Sequence, residues 1–163
     1  MAGNRTRTSR RSGAGASFND REARFVPAPG AMAAAAAALR VTTGHTLNVE
    51  SDSIVVRHTG ELTVQAVEAS RRAVAELATE RRLTRILLDL SGATSGLAPV
   101  DIFELCASQG FVLPPGATVA VVYRPDQFPA EDASFAEAVS LNRGAKLKVF
   151  TDFTGAERWL SGL

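Results

Sequence analysis

Two hydrophobic rhythms alternate along the chain from about residue 41 onward. Short, β-branched apolar runs are separated by longer stretches with apolar residues every three or four positions. The first runs, Leu47-Asn48-Val49 and Ile54-Val55-Val56-Arg57-His58-Thr59, flank the turn residues Ser51, Asp52 and Ser53. This predicts an antiparallel hairpin, closed by Gly60-Glu61-Leu62. His45 precedes its first strand, and His58 is expected partly exposed on the second. Thr63 stands where a helix cap should be, with Val64, Val67, Val74, Leu77 and Ala78 on one side of a helix to about residue 82. Ile86-Leu87-Leu88 is continuously apolar, as in a strand covered on both faces. Asp89 falls at its end, and residues 91–98 read as a loop. Pro99 suits a first helical position, and Asp101 and Glu104 favour the helix dipole. Ile102, Phe103, Leu105 and Cys106 are the expected buried side of that helix, with Gly110 as its stop.

The same alternation continues to the C-terminus. Residues 117–123 predict a second buried strand. A helix follows over about 129–142, with Phe135, Ala138 and Val139 inward and Gly144 beyond its end. Residues 146–150 predict another strand. Thr154 and Glu157 have capping-box spacing for a last short helix that buries Trp159, Leu160 and Leu163. The order β-β-α-β-α-β-α-β-α predicts an α/β domain over residues 41–163. Its sheet should be mixed and mostly parallel, with an N-terminal β-hairpin and about four helices.

Composition sets the first 40 residues apart. They are rich in Arg, Ser, Gly and Ala with few large apolar side chains, so they cannot offset their ordering entropy and read as a disordered tail. Residues 33–40 have helix propensity for a short frayed helix, and Met32 offers a second start site. Seven arginines against Asp20 and Glu22 give residues 1–40 a net charge of +5; the whole chain carries +1, so the remainder carries −4. A mildly acidic domain is a poor match for a nucleic-acid footprint. The alanine tract at 31–39 is far short of the roughly 20 residues of a membrane helix. The expectation is a cytoplasmic protein without a membrane span. Cys106 is the lone cysteine, which excludes an internal disulfide, and no Cys/His cluster has zinc-site spacing.

The small-residue stretch Ser91-Gly92-Ala93-Thr94-Ser95-Gly96-Leu97 is the main candidate for function. It follows a strand's C-terminal end, the edge where open α/β sheets bind ligands, and its N–H groups could hold an anion. Its alternative is a plain connecting loop. It is not a P-loop, a G-x-G-x-x-G turn or a G-x-S-x-G nucleophile elbow. Ser95, His58 and Asp89 can be written as a triad, though nothing in the spacing brings them together. Asp89, Asp101 and Glu104 could form an acid/base pair or hard-metal site, but without further ligands Asp89 reads as a backbone acceptor. Cys106 reads as a buried, inert thiol. No cofactor and no metal are expected.

The layout, with Ile86-Leu87-Leu88-Asp89-Leu90-Ser91-Gly92 at its centre and Val149-Phe150-Thr151-Asp152-Phe153-Thr154-Gly155-Ala156-Glu157-Arg158-Trp159-Leu160 at its close, resembles the STAS domain. That family comprises the sulphate transporter and anti-sigma factor antagonist domains and their stage-II-sporulation AA-like relatives. Regulatory members carry Asp-Ser-Ser-Gly-Leu after the central strand, with the first Ser phosphorylated by an anti-sigma kinase. Here Ser95, Gly96 and Leu97 match, Thr94 takes the phosphoacceptor position and Ala93 replaces the Asp. The resemblance implies a non-catalytic regulatory module that docks on a protein partner through residues 91–97 and the following helix. Thr94 and Ser95 are then the phosphorylation candidates, and Ser91, Gly92, Gly96, Leu97, Asp101 and Phe103 the contact residues. It implies an anti-sigma-factor-like kinase as partner and, for some members, a nucleotide or lipid ligand. A carrier of a lipid or other apolar ligand, in a sheet–helix cavity lined by Phe103, Phe111, Phe128 and Phe135, is the alternative function. An uncharacterised hydrolase is the third, and the oligomeric state is not legible.

Overall fold

The computed structural model describes residues 40–42 and 44–162. The Arg-rich stretch, the alanine tract and Leu163 lie outside the described residues. Arg40 opens a strand rather than ending a helix, because its backbone pairs with the hairpin.

Six strands form one sheet in sequential order: β1 (Arg40–Thr42), β2 (His45–Glu50), β3 (Ser53–Leu62), β4 (Arg85–Ser95), β5 (Thr118–Val122) and β6 (Lys146–Phe150). β1, β2 and β3 pair antiparallel, and β3 through β6 pair parallel. The helices are α1 (Val64–Arg81), α2 (Pro99–Val112), α3 (Ala130–Asn142) and α4 (Phe153–Ser161). The mixed, mostly parallel sheet with an N-terminal hairpin is the architecture the sequence predicts. Each parallel crossover steps the chain in the same direction, so a common crossover hand puts α1, α2 and α3 on one face.

Period-two burial then splits the strands between two cores. On the three-helix face Ile54, Val56, Ile86, Leu90, Val119 and Val121 pack with Val74, Leu77 and Ala78 of α1. On the other face Val55, Leu87, Ala120 and Val122 meet Ala156 and Leu160 of α4. Thr63 caps α1, its hydroxyl accepting from the Ala66 N–H at 3.2 Å. The cap of α4 is Asp152, which accepts from the Gly155 N–H at 2.7 Å, rather than Thr154. The helix starts at Phe153, so Asp152 is the cap and Thr154 already lies within the first turn.

Three expectations change, two about side chains and one about a helix end. His58 is buried, not partly exposed, and stacks on His45 with ring centroids 5.4 Å apart. Phe103 of α2 and Phe135 of α3 are exposed, at 41% and 40%, as is Ala138. The helix α2 runs past Gly110 to Val112. Apolar spacing on a helix flags one face, but a wide apolar stripe does not say which of its residues the sheet covers.

Candidate functional site

The stretch after the central strand is not a loop. β4 continues through Ser95, and only residues 96–98 connect it to α2. Its second half pairs with an equally long β3, Thr59 opposite Gly92, Gly60 opposite Ala93, Glu61 opposite Thr94 and Leu62 opposite Ser95. The register shifts between Arg57, opposite Asp89, and Thr59, opposite Gly92, so β4 carries an extra residue there. This bulge is held by Asp89, whose Oδ1 accepts from the Ser91 N–H at 2.9 Å and the Ser91 hydroxyl at 2.6 Å. Its Oδ2 lies 3.6 Å from Arg57 Nε. Asp89 therefore closes the bulge in mid-strand, rather than sitting at the strand's end. A Cβ on Gly92 would come within 3.1 Å of the His58 carbonyl. One on Gly96 would meet Glu61 Cγ at 2.7 Å and the Leu62 carbonyl at 2.8 Å. These two glycines let the ends of β3 and β4 approach closely.

The structure sets the sequence candidates along one segment, with different surroundings. Ser91 is half-buried and engaged by Asp89. Gly92, Thr94 and Gly96 are exposed, while Ser95 is half-buried. Leu97 turns inward. Asp101 bonds back to its own helix start, its Oδ2 accepting from the Ala98 N–H at 2.8 Å. Phe103 is exposed, and so is Val100 one turn before it, at 61%. Val100 was not among the sequence candidates, although its three-residue spacing from Phe103 was readable. All the large apolar side chains exposed among the described residues, these two with Phe135 and Leu141, lie on α2 or α3. These helices are joined by a buried hydrogen bond, Ser140 Oγ to Gln109 Oε1 at 3.2 Å, and by the Arg143 guanidinium, 6.0 Å from the Phe103 ring centre.

No nucleophilic triad assembles. The Ser70 hydroxyl donates to the Val67 carbonyl at 2.9 Å, so its oxygen is free to accept from His58 Nε2–H at 3.0 Å. Burial, with the charge of His45 beside it, lowers the His58 pKa to about 4 and keeps the ring neutral. Asp89 is committed to the bulge, and Ser95 ends a paired strand. Burial pushes the Cys106 thiol up from its ordinary range, which removes the thiolate needed for reactivity. Among the described residues, no three His, Cys, Asp or Glu side chains cluster as a metal site.

Beneath the α2–α3 seam lies a cavity of about 140 Å³ with an almost wholly hydrocarbon surface. Its wall includes Leu90 and Val121 of the sheet, Leu97, Ile102 and Cys106 before and on α2, and Ala136 of α3. Of the four phenylalanines expected around it, Phe128 lines it and Phe103 and Phe135 point away. The side chain of Phe111 lies outside the described residues.

No protein-family model matches the sequence, and no curated protein matches it either. Among solved structures, an anti-sigma factor antagonist from Mycobacterium paratuberculosis superposes with a TM-score of 0.52 at 15% identity, over 72% of this chain and 92% of that one. The chain has the STAS-like fold of the anti-sigma factor antagonists. Two further structures align with it: SpoIIAA in its unphosphorylated form, with a TM-score of 0.49 at 16% identity over 73% of this chain and 99% of that one, and a Shewanella loihica protein with a SpoIIAA-like fold, 0.46 at 17% over 71% and 91%. Relative to the Asp-Ser-Ser-Gly-Leu motif of the resemblance, Ala93 and Thr94 of β4 are the two departures. No helix among the described residues is long and apolar enough to cross a membrane.

Proposed function

We propose that the chain is a non-catalytic, regulatory protein-interaction module. It docks through the end of β4, residues 96–98 and the first turns of α2, with Gly92, Gly96, Leu97, Asp101 and Phe103 forming or shaping the contact. The observation that carries this reading is the exposure of Val100 and Phe103 directly beyond an exposed Thr94. Apolar side chains of that size, grouped at a strand–helix junction, are what a partner's hot spot covers. The partner is a protein, an anti-sigma-factor-like kinase in its specific form, and the compartment is the cytoplasm.

Thr94 is the phosphoacceptor in this reading, and Ser95, half-buried, the lesser one. A phosphate adds about −1.5 to −2 charges. At Thr94 it would stand opposite Glu61 in the ladder and near the N-terminus of α2. The helix dipole favours it and Glu61 repels it, so the added charge bears mainly on an apolar partner surface. Affinity capture from native lysate with full-length wild type and Thr94→Glu, together with intact-mass analysis, tests this. One protein captured by the wild type and lost with the variant, and a mass increase of one phosphate, is the expected result. Equal capture and an unmodified mass would sink the switch.

The cavity under α2 and α3 favours a second reading, a carrier of a small apolar ligand. An engineered apolar cavity of about 150 Å³ binds benzene, so this one suits a body of about six carbons. Native mass spectrometry after gentle purification distinguishes the readings, because a bare chain mass argues against the carrier.

A further inference from the structure

The exposed apolar side chains of α2 and α3 sit among charges of one sign. These two helices hold Asp101, Glu104, Glu131, Asp132 and Glu137, and neither contains a Lys or Arg. The helix α1, by contrast, mixes Glu68, Glu76 and Glu80 with Arg71, Arg72 and Arg81. Asp101 is engaged at its own helix start, and Glu137 accepts from the Val149 N–H at 3.0 Å. Glu104 and Glu131 are exposed and form no ion pair among the described residues. Val100, Phe103 and Glu104 are three and four residues apart and share one exposed side of α2. Glu131, Phe135, Ala138 and Leu141 form the same kind of stripe along α3. The two helices adjoin at the Ser140–Gln109 hydrogen bond, so the stripes lie on neighbouring elements.

This face states the chemistry of its cover: large apolar side chains set among cations. A second copy of the same face fits poorly, because carboxylate would meet carboxylate, and like-charge juxtaposition costs several kcal/mol. The chain itself carries a segment of the required kind. Residues 1–39 hold six arginines against Asp20 and Glu22. Within them Arg21-Glu22-Ala23-Arg24-Phe25-Val26 sets two arginines beside two large apolar residues, with Phe18 three positions earlier. Arg and aromatic residues are the types enriched where binding energy concentrates. We propose that residues 18–26 dock on the α2–α3 face of their own chain, with Phe18, Phe25 and Val26 over its apolar side chains and Arg21 and Arg24 at Glu104 and Glu131. The tether is long enough. Residues 27–39 lead from the segment to β1, and a chain of that length spans about 45 Å extended and about 20 Å as a coil. From β1 to β5 is four strand spacings, about 19 Å, and the helix layer adds about 10 Å. Tethering supplies an effective concentration of about a millimolar, so a weak contact suffices. Phe103 belongs both to this face and to the proposed docking contact, which makes the segment a built-in competitor for the partner. That regulatory consequence rests on the docking reading, whereas the contact itself does not.

The test therefore reads the contact with no partner present. ¹H–¹⁵N NMR spectra of the full-length wild type are compared with those of a full-length Arg21→Glu/Arg24→Glu/Phe25→Ser chain, which leaves the domain's core unchanged. The expected result is a set of amide shift differences concentrated at residues 100–104 and 131–141, with β4 and β5 unmoved. Raising salt from about 0.1 to about 1 M shortens the screening length from about 10 to about 3 Å and should move the wild-type peaks toward the variant's. Glu104→Lys/Glu131→Lys should remove that salt response, and combining it with Arg21→Glu/Arg24→Glu should restore it. Spectra that superimpose outside residues 18–27, or differences centred on another surface, overturn the proposal. Differences that fade on about tenfold dilution would assign the contact to a second copy and overturn its intramolecular form.

Discussion

The two faces of the sheet are built to different standards. The α4 face is a closed contact: Leu87, Ala120, Ala156 and Leu160 are each at most 2% exposed, and one nine-residue helix covers them. Its border is tied by Arg57, which bonds Glu50 at 3.2 Å and stacks 5.5 Å from the Phe153 ring centre. The opposite face is covered by three helices and is still less complete. Among the described residues it keeps a cavity of about 140 Å³ and a buried Arg71 Nη2 without a hydrogen-bond partner, and α2 and α3 carry every large exposed apolar side chain. More cover has given looser packing. Native interiors leave few voids, and the proposed docking and carrier readings both use the face on which this incompleteness is concentrated.

The largest expected difference between the faces is in truncation. Leu160→Ala should cost about 3 kcal/mol or more, because a well-packed site cannot collapse around the lost side chain. Leu105→Ala, whose side chain already borders the cavity, should cost about 1–2 kcal/mol. Urea denaturation of both variants checks the ordering, and equal losses would remove the contrast.

Acid should act through the three-helix face. His58 has a folded-state pKa of about 4 against an ordinary 6.5, so the unfolded chain takes up its proton first. The stability this ring contributes is fully present above pH 6.5 and is lost as pH falls toward 4, on the order of 3 kcal/mol. Denaturation at a series of pH values should show that fall, reduced in His58→Gln, whose amide keeps a donor for Ser70 Oγ. A slope unchanged by the substitution would place the loss elsewhere. The smallest effect concerns filling. Ala133→Leu should change stability by less than about 1 kcal/mol, because the added atoms enter existing space. A cost of several kcal/mol would mean that the cavity is not available to an occupant.

The elements were legible because their cores are. Continuous apolar runs announced β4 and β5, and Thr63 and Pro99 marked helix starts where the structure has them. The second half of β4 was not legible. Ser91, Gly92, Ala93, Thr94 and Ser95 are turn-forming in isolation, and they become strand only because β3 runs long beside them past the bulge. The burial of His58 depends likewise on a distant partner, Ser70 of α1. Of the candidate segment, the local structure differs from the expectation. What read as a loop is a paired strand end, Asp101 caps its own helix, and Val100 is exposed beside Phe103.

The central claim, that the open face is the working face, is tested most directly by Phe103→Asp in the full-length chain. The side chain is already 41% exposed, so stability should shift by less than about 0.5 kcal/mol. Quantitative affinity capture of the wild-type partner should then fall at least about tenfold, the scale of losing one hot-spot contact. Undiminished capture by a stably folded Phe103→Asp chain would contradict the account.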